Sequence, residues 1–79
     1  SYKGLFIMWI MAMVYCATFA TGEMCRAWVP PVAESSREKC EANIKTAVYS
    51  MANAIEKKDG DLFFIDCQCI KVREEFKYQ

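Results

Sequence analysis

The sequence predicts a small α+β, disulfide-stapled domain, one amphipathic helix packed on a short extended segment or strand, behind an N-terminal hydrophobic helix. Three observations predict it. Gly4 to Gly22, GLFIMWIMAMVYCATFATG, carries no charged residue and is bounded by Lys3 and Glu23. Residues 35–58 place apolar side chains at helical spacing behind a serine-rich start. Four cysteines, Cys25, Cys40, Cys67 and Cys69, follow the apolar run and form an even set able to pair.

The apolar run comes first. As a helix, about 19 residues rising roughly 1.5 Å each span about 28 Å, close to the thickness of a bilayer core. Leu5, Phe6, Ile7, Trp9, Ile10 and Val14 would then face lipid. Two outcomes follow. Residues 1–22 could be a retained membrane anchor, or a secretory signal cleaved near Ala20-Thr21-Gly22, whose small residues suit a signal peptidase. Loss of Cys16 on cleavage would leave the even set of four. The chain nevertheless starts at Ser1, ahead of the run, and on that ground we expect retention. Either route exports residues 23–79, to a periplasmic, lumenal or extracellular space, anchored or secreted.

Residues 23–34 read as an extended connector. Trp28-Val29-Pro30-Pro31 favours polyproline geometry, because a proline pushes the residue before it out of the helical region. Residues 35–79 then form a helix–turn–strand unit. Ser35-Ser36-Arg37-Glu38 has the Ser-x-x-Glu form of a capping box. Cys40, Ile44, Ala47, Val48, Met51 and Ile55 fall on one helix face, and Glu41 with Lys45 makes a favourable i,i+4 pair. Lys57 and Lys58 suit the negative end of the helix dipole, and Asp59-Gly60 supplies the stop.

Leu62 to Val72 is rich in aromatic and β-branched residues, which favours a strand, although a helical stripe also fits. Length decides between them if a disulfide joins helix and strand. From Gly60 back to Cys40 is roughly 30 Å of helix, and from Gly60 on to Cys69 is roughly 30 Å only if extended. This predicts Cys40–Cys69 with Cys25–Cys67. The swapped pairing needs only a small shift, and a Cys67–Cys69 bridge is the most strained option. The tail from Glu74 to Gln79 is polar enough to be loose.

Composition limits function. Ten basic and ten acidic residues balance, leaving no basic face for nucleic acid. The chain has no histidine, the usual general base, and only three glycines, with no phosphate-cradling loop. Asp59, Asp61 and Asp66 read as solvated turn and strand-start residues. Cys67-Gln68-Cys69 could act as a dithiol, yet its neighbour Asp66 opposes thiolate formation, and no Cys-x-x-Cys pair supports a metal site. No cofactor, metal or catalytic residue is expected.

The expected role is a non-catalytic, membrane-anchored structural or accessory subunit. Its exported head would contact partner proteins or self-assemble, with Trp28, Phe63 and Phe64 as the interaction surface and the bilayer held through residues 4–22. A cleaved, secreted protein-binding module of the inhibitor, immunity-factor or toxin type is the alternative. A Cys-x-Cys oxidoreductase comes third.

Overall fold

The computed structural model describes the backbone of residues 2–77 and the side chains of residues 7–73. Strand β1 (Tyr2–Phe19) is followed by β2 (Gly22–Trp28) and the short β3 (Ala33–Glu34). Helices α1 (Arg37–Ala42) and α2 (Ile44–Lys57) come next, then β4 (Asp61–Lys77). All strand pairings are antiparallel and all run through β1. One edge of β1 pairs with β4 along nearly its whole length, from Tyr2↔Lys77 to Thr18↔Asp61. The other edge pairs with β2 over residues 13–19 and with β3 at Trp9 and Ile10.

The expected N-terminal helix is therefore overturned. Leu5, Phe6, Ile7, Trp9, Ile10 and Val14 lie on the central strand, not on a membrane-spanning helix. Among the described residues, no helix is long and apolar enough to cross a membrane. β1 at 18 residues is far longer than an ordinary strand, which is why the length of the apolar run suggests a helix. What the run lacks is internal patterning, because its even positions are apolar as well, although they line a face that no other element covers among the described residues. Its backbone pairs with β4 along one edge and with β2 and β3 along part of the other, rather than within the segment. Ala20-Thr21, expected as a cleavage point, forms instead the two-residue turn of the β1–β2 hairpin, with Gly22 at φ 130°.

The two helices cover one face of the sheet. On β1 the odd-numbered positions face them. Met11, Met13 and Ala17 are buried there together with Cys40 and Ile55, and the Met13 side chain is 0% exposed. The Arg37 guanidinium sits 5.9 Å over the Trp9 ring on the same side. Since directly paired residues share a face, Ile65, Cys67, Cys69 and Lys71 of β4 point to the helices as well. The even positions of β1 point the other way. A bulge at Phe63, between the pairs Cys16↔Phe64 and Ala17↔Leu62, resets the alternation at the start of β4.

The single helix expected over residues 35–58 is broken at Asn43. The Asn43 N–H donates to the Cys40 carbonyl at 3.1 Å, one residue short of the helical step. Its side-chain Nδ2 donates to Glu34 Oε2 at 2.8 Å, fixing the break to β3. The start is one residue later than the capping box implies. Ser36 is the N-cap, and its Oγ accepts from the Lys39 N–H at 3.2 Å. Glu41 pairs back to Arg37 within α1 at 3.3 Å rather than forward to Lys45 across the break.

Helix α2 ends in a Schellman-type closure. The Gly60 N–H donates to the Ile55 carbonyl and the Asp59 N–H to Glu56, both at 2.9 Å. Asp59, not Gly60, holds the left-handed position at φ 56°. Gly60 is needed for closeness instead. A Cβ there would overlap the Phe19 ring and come within 2.8 Å of Ile55 Cγ2. Gly60→Ala is thus expected to cost about 1–3 kcal/mol through overpacking. Asp59→Gly should be neutral or add up to about 1 kcal/mol by removing left-handed strain. Urea denaturation of both variants checks this, and a Gly60→Ala midpoint equal to wild type would contradict the packing at Phe19.

The polar tail is not loose as far as it is described. The backbone of β4 stays paired to Lys77, opposite Tyr2. This ladder runs well past the helices and draws the molecule out to 55 × 24 × 16 Å. The radius of gyration is 16.4 Å, against about 12 Å for a compact chain of this length.

Candidate interaction surfaces

Cys40 of α1 is bonded to Cys69 of β4 on the helix side of the sheet. Cys16 is bonded to Cys25, its direct partner across the β1–β2 hairpin, on the opposite side. The expected Cys25–Cys67 bridge is thereby replaced. A cleaved signal would carry Cys16 away, but the run folds into the sheet and brings Cys16 to Cys25 at a Cα separation of 4.0 Å. Cys67 is left as a free thiol, half-buried on the helix side. The two disulfides point to an oxidising, exported environment.

The Cys-x-Cys pair is accordingly not a dithiol. Burial pushes the Cys67 thiol up, and the Asp66 carboxylate beside it adds to the shift. A nucleophilic thiol needs the opposite environment, a nearby cation or helix N-terminus that favours the thiolate. Among the described residues, no group of three His, Cys, Asp or Glu side chains is placed to hold a metal ion.

The three aromatic residues expected to form one contact surface are separated. Trp28, 42% exposed, lies at the end of β2. With Met11, Pro30, Val32 and Cys40 it lines a groove of about 370 Å³ between the connector and the helices. Phe63 is exposed at the bulge. Phe64 points to the other side of the sheet, opposite Cys16.

That other side is the larger apolar surface. Met8 (39% exposed), Val14 (43%), Phe64 (49%) and Ile70 (43%) share it. Ile10, Ala12 and Val72 are half-buried between them. Among the described residues, no element packs over this face. Asp66 and Gln68 form a polar strip along it, with Gln68 Nε2 donating to Asp66 Oδ2 at 3.4 Å.

The sequence reading picks out Phe64, gives Val14 to a lipid-facing helix, and misses Met8 and Ile70. Met8 and Val14 are hidden inside the uniformly apolar run. The signal that could have found them is the even spacing of Phe64, Asp66, Gln68, Ile70 and Val72, which marks one face once β4 is taken as a strand. Compared with known protein families, curated proteins and solved structures, the chain matches none.

Proposed function

We propose that this chain is a non-catalytic, exported protein-binding module that uses the bare face of its sheet to hold a partner protein. The observation that carries the reading is the grouping of Met8, Val14, Phe64 and Ile70 on one uncovered face. A contiguous apolar patch exposed on a small domain is costly in water, and such patches mark contact sites. The two disulfides support it, since they brace opposite faces of a molecule built to work outside a reducing compartment. The membrane-anchored form of this role is not carried forward, because residues 2–19 are used up as the central strand.

A photo-crosslinking residue placed at Val14 tests the reading against one placed at Lys45, which is exposed on α2. The Val14 position is expected to trap a discrete partner protein in the exported fraction. Met8→Lys should then weaken that complex by about tenfold or more, as loss of a central apolar contact does. A partner trapped through Lys45 and never through Val14 would overturn the assignment of the face.

A further inference from the structure

The outer edge of β4 is the second unfinished surface. β4 pairs with β1 on one side only, and among the described residues nothing pairs with its other side. The orientation of its backbone groups follows from the disulfide in the hairpin. Cys16 and Cys25 lie 4.0 Å apart at Cα, the spacing of a non-hydrogen-bonded pair. Cys16 therefore turns its N–H and C=O away from β2 and toward β4, and alternation carries this along the ladder. Phe64, Asp66, Gln68 and Ile70 bond inward to β1. Ile65, Cys67, Cys69 and Lys71 present their N–H and C=O groups outward. An edge of this length with free donors and acceptors is a template for another strand.

We propose that two copies of this chain join antiparallel along the outer edge of β4, with Cys67 facing the second copy's Cys67 on the two-fold axis and the two sulfurs bonded. The register is chosen by complementarity. Centred on Cys67, it sets Phe64 opposite Ile70, Asp66 opposite Gln68 and Ile65 opposite Cys69. The same pairs recur on the other side of the axis, and Asp61 comes alongside the basic end of the other strand at Lys71 and Arg73. Shifting the centre to Cys69 would place Asp66 against Val72 and Gln68 against Ile70. Shifting it to Ile65 would place Asp66 against Phe64. Both alternatives set polar groups on apolar ones, and only the Cys67 register avoids this.

The geometry suits a bond. Outward-facing residues of two antiparallel edges meet as hydrogen-bonded pairs about 5.5 Å apart at Cα. That lies within the range disulfides span. Cys67 is also the cysteine left free when the other four have paired, and in an oxidising space a free thiol beside an open edge is available to bond a neighbour's. The oxidant is a disulfide compound of the oxidised-glutathione class. One Cys67 thiolate, its proton released to solvent, attacks this compound, breaking its S–S bond and releasing one thiol. The second Cys67 thiolate attacks the mixed disulfide, releasing the other thiol and forming the intermolecular bond. Two protons and two electrons leave the cysteines, and the oxidant is reduced to two thiols. Burial and Asp66 raise the Cys67 pKa and slow the first attack, and holding the two sulfurs together on the axis favours the second.

The inference concerns the backbone edge of β4; Phe64 and Ile70 also belong to the partner-binding face, and Cys67→Ser separates the two readings because Cys67 lies on the helix side of the sheet. The full chain, incubated with oxidised glutathione, should give a disulfide-linked dimer in which peptide mapping finds Cys67 joined to Cys67. Cys67→Ser should keep the fold and lose that bond. The register is tested by Ile70→Glu and Phe64→Lys, both at exposed positions. Each alone should cut the covalent dimer by roughly tenfold, and the double variant should restore it, since position 64 faces position 70 of the other copy. Equal dimer yield in wild type and both single variants would mean random encounter and overturn the proposal. So would Cys67 ending as a glutathione adduct or as a bridge to another cysteine of its own chain.

Discussion

A chain beginning at Glu23 will not fold. Among the described residues, β2, β3 and β4 do not pair with one another; each is held by β1. Removing residues 1–22 deletes the only strand common to all of them, together with Met11, Met13 and Ala17 of the buried core. It also strands Cys25 without Cys16. Full burial of a methionine is worth about 1.5–3 kcal/mol, and a hairpin disulfide adds about 2.5 kcal/mol for a closed loop of this size. A domain this small has only about 5 kcal/mol of net stability to lose. The fragment 23–79 should show no sheet signal by circular dichroism, rapid exchange of the amides of β4, and no cooperative melt. A sharp unfolding transition from that fragment would refute the central-strand architecture. The result also decides what the apolar run is for: it is the core of the sheet and not a removable address.

What the sequence made legible was local. The serine start of α1, the Asp59-Gly60 stop and the start of the strand at residue 62 are each written in a few neighbouring residues and fit the structure to within about a residue, whereas the strand runs on to Lys77, past the expected end at Val72. The bond between Cys40 and Cys69 follows from matching a helix length to a strand length across one turn. What failed depends on partners distant in the chain. An apolar run with no alternation is compatible with a lipid-facing helix or with a sheet strand that is apolar on both faces. Only the presence of β2 and β4, ready to bond both of its edges, selects the strand. A helical run removes Cys16 from the pairing and leaves Cys25 to Cys67, whereas the strand brings Cys16 to Cys25. The helical reading also hides the candidate face, because Met8 and Val14 look like any other members of an apolar segment until β4 gives them a register. The break at Asn43 was invisible for a related reason: it is fixed by a hydrogen bond to Glu34, which no helical period encodes.

The two disulfides are expected to contribute unequally. Cys40–Cys69 closes a loop with a sequence separation of 29 and is the covalent link between the helices and the sheet. Chain entropy alone assigns it about 3.5 kcal/mol. Cys16–Cys25 closes a separation of only 9, across a hairpin already held by seven paired positions and a two-residue turn. Its entropic share is about 2.5 kcal/mol, and the hairpin's own ordering in the unfolded chain reduces it further. The helix layer has no comparable support. α1 is only six residues long, α2 is separated from it by the Asn43 break, and Cys40 and Ile55 are their only buried side chains. Replacing Cys40 and Cys69 together by alanine should therefore lower the melting temperature by roughly 15–25 °C, at about 4–8 °C per kcal/mol for a domain of this size. Exchange in α2 should rise before exchange in β1. Replacing Cys16 and Cys25 together should cost less than that and leave the helices docked. Thermal melts with amide exchange on the two double variants separate the cases, and a larger loss from the hairpin pair would show that the helix layer is held by packing and not by its single covalent tie.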